Sequence, residues 1–397
     1  MITHTPSWHD DEIAAVSELA SDFFRREVVA HAERWDAQRH VGREVWRRAG
    51  ELGLLLCSIP EEFGGGGGTI AHDLAVFEAQ GYSGDFALGL SIHSGIVPHY
   101  INEYGSTDQK STWLPAMAAG EVVGALGMTE PGTGSDLKNI TTRAVRDGDH
   151  YVINGSKTFI TNGSCADLIV LAVKTDPRAG AKGVSLILVD VRDCPGFAVG
   201  RVLDKVGQHG ADTSELSFTD VRVPVDNLLG GQEGRGFGQM MAQLGQERLI
   251  IAAQSVGAMR RAVEETVRYT TERRAFGQSV FEFQNTAFEL AECHTMAHTG
   301  RVFFDHCVEQ RLRGELDATT AAMAKYWLTD RHCEVVDRCV QLHGGYGYMR
   351  EYLIGRMYED ARVQRIYGGT NEIMKSIIAR SMTEDTRGTL HSTPTSA

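Results

Sequence analysis

The feature that most constrains the fold of this chain is a change of periodicity in its middle. Between about Val123 and Leu229, helical spacing gives way to short apolar runs separated by turn dipeptides. Asp147-Gly148 and Asn154-Gly155 are tight-turn pairs, suited to the positive φ that a short hairpin loop demands. Leu168 to Val173 and Val184 to Val189 are apolar runs suited to buried strands, and Ser217 to Val223 alternates. This pattern predicts a small antiparallel barrel or sandwich.

Helical spacing flanks it on both sides. Asp10-Asp11-Glu12 opens an amphipathic run through Val29, with its acids at the positive end of the helix dipole. Further helices are expected over Val45 to Leu56 and Ala71 to Ala79, then over Leu244 to Thr271, Gln284 to Leu312, Ala318 to Leu342 and Asn371 to Ser381. Helices, then strands, then helices predict an α+β protein with its sheet domain between two helical ones. The expected divisions are residues 1–122, 123–235 and 236–385, with 386–397 an aperiodic, disordered tail. The glycine run Gly64 to Gly68 reads as a flexible surface turn; a phosphate-cradling loop is the alternative, without GxGxxG spacing to support it.

A net charge of -13 argues against nucleic acid, since phosphate binding needs a cationic surface, but leaves room for an anionic substrate in a local basic pocket. The 7 cysteines form no CxxC pair and read as reduced, small core residues. The 15 histidines include no HExxH, and no metal site is expected. No apolar run reaches the length of a membrane span, and Met1 to Asp11 is polar and acidic, so a cytoplasmic protein is expected.

Three segments point to chemistry: Met128-Thr129-Glu130-Pro131-Gly132-Thr133-Gly134-Ser135-Asp136, Gln341-Leu342-His343-Gly344-Gly345, and Ile366-Tyr367-Gly368-Gly369-Thr370-Asn371-Glu372-Ile373. Together they resemble the flavin-binding segments of acyl-CoA dehydrogenases, a likeness that extends over almost the whole chain. The resemblance implies an N-terminal helical domain, a middle antiparallel β-barrel and a C-terminal four-helix bundle. It also implies FAD-dependent α,β-dehydrogenation of an acyl-CoA thioester to the trans-2-enoyl-CoA in fatty-acid β-oxidation, with electron-transfer flavoprotein as electron acceptor. Phe159, Arg43-Glu44-Val45-Trp46, Ser91 to Val97 and Met323 to Trp327 are most similar to the long-chain branch, so a long-chain or branched-chain substrate is expected.

By the same resemblance FAD falls to Leu126, Met128, Thr129, Gly134 and Ser135, then to Phe159, Ile160 and Thr161. Glycines let a backbone approach an aromatic ring, and main-chain donors stabilise charge on it. Read alone, Thr129 to Asp136 is equally a capped glycine-rich loop, and Phe159 a barrel-core residue. Arg273, Phe276 and Gln284 resemble the element that reaches the FAD of a neighbouring subunit, where a guanidinium suits a pyrophosphate; alone, they are a solvated basic helix end. Gln341, Gly344, Gly345, Thr370 and Glu372 complete the dinucleotide contacts, and the division among chains implies a homotetramer.

Many family members carry a Glu at the place of Gly368, where it abstracts the α-proton. Here the candidate base is Glu247, directly before Leu249-Ile250-Ile251-Ala252-Ala253. A polar side chain beside a helix segment so apolar is costly unless used, and a desolvated carboxylate gains basicity. The alternative is a first-turn acid at a helix N-terminus; Glu372 stands second as a base. Gly368 still offers its amide to the thioester carbonyl, as an oxyanion hole does. Ser135, Gly245, Arg248, Tyr367 and Gly369 are the implied substrate contacts, with Lys182 within reach of the CoA phosphates. Gly245 stands where an acid usually contacts CoA. Two rival readings remain open: a flavin oxidase or monooxygenase on the same scaffold, and a non-catalytic flavoprotein partner subunit.

Overall fold

The computed structural model describes residues 6–390, and side chains as far as Thr383. The described chain forms two compact units. One is His9–Gln243; the other runs from Leu244 and includes Ser7 and Trp8.

The first unit opens with seven helices: α1 (Asp11–Phe23), α2 (Ala32–Gln38), α3 (Arg43–Glu51), α4 (Ile70–Ser83), α5 (Leu90–Gly95), α6 (Val97–Tyr104) and α7 (Thr107–Ala118). Asp10 caps α1 by accepting from the Ile13 amide at 2.9 Å, with Asp11 and Glu12 in the first turn. Helix α3 stops at Glu51 and does not reach Leu56: Gly53 takes φ +69° and closes the end through the Gly50 carbonyl. Leu54 to Leu56 are nonetheless buried, so their apolar pattern marked core and not helix.

The glycine run is a tied loop. The amides of Gly64 to Gly68 donate in turn to carbonyls of Glu61, Pro60, Leu56, Ile59 and Cys57. A Cβ on Gly65 would lie 2.2 Å from the Ile59 oxygen. The run is at the surface as expected, but its five amides are engaged, which corrects the flexible turn and leaves no donors for a phosphate.

A curled sheet follows: β1 (Gly124–Gly127), β2 (Arg143–Asp147), β3 (His150–Thr161), β4 (Leu168–Lys174), β5 (Val184–Asp190), β6 (Phe197–Val202) and β7 (Thr213–Pro224), in the order β1-β4-β2-β3-β7-β6 with β5 on β4. Most pairs are antiparallel, but β1 runs parallel to β4, as does β2 where Arg143 meets Lys174, which corrects the all-antiparallel expectation. All residues of β4 are buried, whereas β3 and β7 alternate along much of their length. Gly148 turns the β2–β3 hairpin at φ +64°. Asn154-Gly155, in contrast, lies inside β3 at a register shift, with Asn154 Nδ2 bound to Asp220 Oδ1 at 2.9 Å; it is a bulge and not a turn.

Two residues from the branch-like segments tie helices to sheet. Arg43 grips Asp167, just before β4, with both terminal guanidinium nitrogens. His93 accepts from the Gly124 amide through Nδ1 (3.1 Å), which leaves Nε2–H to donate to the Met117 carbonyl (3.1 Å). Burial lowers its pKa to about 4, so the ring is a neutral strut.

The second unit contains four long helices: α8 (Gly236–Glu272, here from Leu244), α9 (Gln284–Leu312), α10 (Ala318–His343) and α12 (Asn371–Leu390). A hairpin, β8 (Arg274–Ala275) with β9 (Gln278–Ser279), follows α8, and a short helix α11 (Leu353–Ala361) was not anticipated. Helix α8 begins before the expected Leu244 because Gly236 serves close approach and not chain breaking: its Cβ would lie 2.6 Å from the Ser185 backbone. Helix α12 continues through residues 386–390, which corrects the expected start of the tail; 391–397 lie outside the described residues. Trp8 docks on α9, its Nε1 donating to Asp305 Oδ1 at 3.2 Å.

Candidate functional site

In the first unit, β1 delivers Leu126, Met128 and Thr129, all partly buried, into a loop whose Gly134 and Ser135 are exposed. A pair unnoticed in the sequence anchors it. Lys157 on β3 is buried, and its Nζ donates to Glu130 Oε1 (2.9 Å) and to the Met128 carbonyl (3.0 Å). Glu130 also accepts from the Thr141 amide (2.6 Å), the Thr141 hydroxyl (2.7 Å) and the Thr142 amide (2.9 Å). Burial pushes the Glu130 carboxyl up, but Lys157 and the threonine donors outweigh it and hold the group at about 2. Burial draws the Lys157 ammonium down to about 8 against the opposing pull of Glu130. The two stay ionised at neutral pH and anchor the base of the loop, which is closed by the Thr133 amide donating to the Glu130 carbonyl (3.0 Å).

Phe159 is the other feature of this face. It is 66 % exposed at φ +57°, while its neighbour Ile160 is buried. A register shift between Lys157 and Ile160 in the β3–β7 pairing turns the ring outward, which removes the barrel-core reading. A bulky residue with positive φ is uncommon and costs about 1–2 kcal/mol, a strain that the surroundings hold in place. Thr161 is partly buried, and Asn162 bridges the carbonyls of Gly89 (3.0 Å) and Gly124 (3.1 Å) through Nδ2.

In the second unit, Glu247 and Arg248 are buried well inside α8, ahead of Leu249, Ile250, Ala252 and Ala253, each 0 % exposed. The first-turn reading of Glu247 is thereby removed. Arg248 keeps Nε without a hydrogen-bond partner, and burial lowers its pKa against the attraction of Glu247. Gly368 and Gly369 form a turn at φ +62° and +88°. A Cβ on Gly368 would lie 2.3 Å from Ile251 Cδ1, one helical turn beyond Glu247. The structure therefore brings Glu247, Arg248, Gly368 and Gly369 to one region. Tyr367 and Thr370 flank the turn, partly buried. Gly245 leaves open space, with nothing within 4 Å of an added Cβ. Glu372 is exposed in the first turn of α12, its pKa lowered chiefly by its own backbone amide, so it lacks the desolvation a base needs. Beneath the turn, fully buried Lys325 donates to the Gly369 carbonyl at 2.8 Å, a contact that sequence reading missed. The signal was a lysine directly after the apolar run Ala321-Ala322-Met323-Ala324.

The remaining residues lie apart from that turn's hydrogen-bond network. Phe276, 98 % exposed, tips the β8–β9 hairpin with Gly277, both at positive φ. Arg273 and Gln284 are exposed at either side of the hairpin, with Arg273 5.6 Å above the Tyr346 ring. Gln341, Gly344 and Gly345 are exposed where α10 ends; Gly344 takes φ +60°, and neither glycine has an atom within 4 Å of an added Cβ. Lys182 is exposed, in the short helical turn Gly180–Gly183 that precedes β5. In the first unit, the exposed Phe159 ring offers an aromatic face; in the second, Gly344 and Gly345 leave open space beside the backbone. Among the described residues no group of three or more His, Cys, Asp or Glu is placed to hold a metal, and no helix is long and apolar enough to cross a membrane.

Three family models match in succession: the acyl-CoA dehydrogenase N-terminal domain over residues 10–121, the middle domain over 125–221 and the C-terminal domain over 234–383. The chain is 45% identical over 370 residues to the mitochondrial long-chain specific acyl-CoA dehydrogenase of Mus musculus, covering 93% of this chain and 86% of that one. A crystal structure of acyl-CoA dehydrogenase from Geobacillus kaustophilus superposes with a TM-score of 0.92 at 44% identity, covering 95% of this chain and 100% of the other. A glutaryl-CoA dehydrogenase from Mycobacterium smegmatis, solved in complex with FADH2, has a TM-score of 0.89 at 26% identity over 95% of this chain and 96% of its own.

Proposed function

This chain belongs to the acyl-CoA dehydrogenase family, and from that premise we propose that it converts a long-chain or branched-chain acyl-CoA to the trans-2-enoyl-CoA with Glu247 as base. The observation that carries the assignment is the contact of Gly368 with Ile251, which sets the vacated base position one helical turn from a buried carboxylate. Bound FAD supplies the acceptor for the β-hydride. The chain's own residues do the rest: the Glu247 carboxylate takes the α-proton, and the Gly368 amide receives the thioester carbonyl and so acidifies the α-carbon. Arg248 offers an unused Nε–H to the CoA portion, with Ser135, Gly245, Tyr367 and Gly369 as the further substrate contacts.

FAD falls to Leu126, Met128, Thr129, Gly134, Ser135, Phe159, Ile160 and Thr161, and to Gln341, Gly344, Gly345, Thr370 and Glu372. Arg273, Phe276 and Gln284 serve a neighbouring subunit in a homotetramer; an almost fully exposed phenylalanine at a hairpin tip supports that assignment. Electrons then pass to electron-transfer flavoprotein, in fatty-acid β-oxidation.

The test is anaerobic bleaching of the flavin by a panel of CoA thioesters, repeated on Glu247→Gln. A loss of about 10²–10⁴-fold at retained flavin content is expected for the variant; an unchanged rate would remove the base assignment. The glycine at 368 favours one competing reading, a flavoprotein partner without a base, and a flavin that no thioester bleaches would establish it. Rapid reoxidation in air after bleaching would instead indicate an oxidase.

A further inference from the structure

Two successive glycines at positive φ form the turn that carries the Gly368 amide, and glycine imposes little conformation of its own. The turn is held from beneath. Lys325, on α10 and 0 % exposed, donates from Nζ to the Gly369 carbonyl (2.8 Å) and to Asn371 Oδ1 (2.9 Å). Asn371 in turn donates from Nδ2 to Thr329 Oγ1 (3.0 Å) and Asp330 Oδ1 (3.0 Å), so the anchor is continuous with α10 and with the first turn of α12. Asp330 is itself gripped by Arg365 Nε at 2.6 Å.

An ammonium buried without a carboxylate at hydrogen-bond distance is expensive, and Arg248 adds a second cation nearby that opposes it. A leucine or methionine would fill the volume at lower cost. What the lysine adds is a directed donor on one particular peptide oxygen. We propose that Lys325 is a positioning residue: it holds the Gly369 carbonyl and thereby fixes the Gly368 amide against the thioester carbonyl, without touching substrate itself. This rests on the acyl-CoA dehydrogenase reading above. The lysine governs how strongly the carbonyl is polarised, and therefore the acidity of the α-proton, while the depth of the acyl site is untouched.

The experiment uses the FAD-loaded full chain, with palmitoyl-CoA as substrate and trans-2-hexadecenoyl-CoA carrying a ¹³C carbonyl as the bound probe. In the unaltered protein the carbonyl stretch of the bound probe moves to lower frequency than in solution. In Lys325→Met the move is expected to shrink, with kcat falling by up to about 100-fold as the amide loses its aim and KM changing by less than about threefold. A merely structural lysine would lower flavin content or melting temperature and leave the carbonyl shift of the folded fraction intact; that result overturns the proposal, whatever the activity. Should Lys325→Met not fold, Lys325→Gln is read in the same way, since its shorter side chain keeps a polar end but does not reach the Gly369 oxygen. If no thioester of the panel, straight or branched, bleaches the unaltered protein, the functional reading itself has failed and takes this inference with it; if only a branched thioester does, that thioester and its enoyl product replace the palmitoyl pair.

Discussion

Gly368 lies against Ile251, so closely that a Cβ on the glycine would come 2.3 Å from Cδ1 of the isoleucine. Glu247 precedes Ile251 by one turn of the same helix. A side chain at either place therefore faces one small region, which is the geometric ground for proposing Glu247 as the base.

Gly368→Ala tests that crowding. The new methyl meets Ile251, and φ +62° is unfavourable for any residue with a Cβ. The expected cost is about 1–2 kcal/mol, read as a melting temperature a few degrees lower. Activity falls further than stability, because the turn that aims the amide is displaced. A variant with unchanged melting and unchanged rate would show that the turn tolerates side chains.

Phe159→Ala separates cofactor contact from packing. The ring is 66 % exposed, so its removal leaves no cavity in the sheet core. Flavin retention after gel filtration is expected to drop, while the melting temperature of flavin-free protein stays the same, since alanine keeps a Cβ and so the same backbone strain. A large loss of apoprotein stability would return Phe159 to the core.

Phe276→Asp addresses assembly. With the ring 98 % exposed at the tip of a two-residue turn, the change leaves the hairpin intact. Light scattering is expected to show a smaller species, with less bound flavin. An unaltered mass and flavin content would place the subunit contact elsewhere.

The Glu130–Lys157 pair sets an acid limit. Glu130 titrates at about 2 in the folded chain against an ordinary 4.5, so it contributes stability above about pH 5 that is lost as pH falls towards 2. For Lys157 a shift in the same direction has the opposite consequence: its pKa of about 8, below 10.5, weakens the folded state, fully so at pH values beneath 8. The acid-side loss therefore belongs to the carboxylate. Lys157→Met leaves Glu130 buried without its cation and should cost about 3–5 kcal/mol, with early release of flavin, since the anchor of the loop at Met128 is cut. Urea titrations at pH 7 and pH 4 measure both effects. A Lys157→Met variant as stable as the parent would mean that the threonine donors suffice.

How much of this was legible in the residues follows from the range of the interactions. Helix α9 matched its expected span of Gln284 to Leu312. The buried strands β4 and β5 were readable from unbroken apolar runs, and the Gly148 turn from a dipeptide. Glu247 stood out as one carboxylate beside an apolar helix segment. Other features needed partners distant in the chain. Asn154-Gly155 has the composition of a turn, and only pairing with β7 makes it a bulge. The parallel contact of β1 with β4 joins strands with no local signal between them.

The sequence by itself determined the order of helical and β segments, the family to which the chain belongs and a short set of candidate groups, because periodicity and motifs are properties of neighbouring residues. Tertiary structure decided which of those groups meet. Lys325 reaches Gly369, Lys157 reaches Glu130, and Gly368 faces Ile251 only after distant segments have packed. Burying a charge or crowding a glycine has meaning only in relation to what lies across the contact.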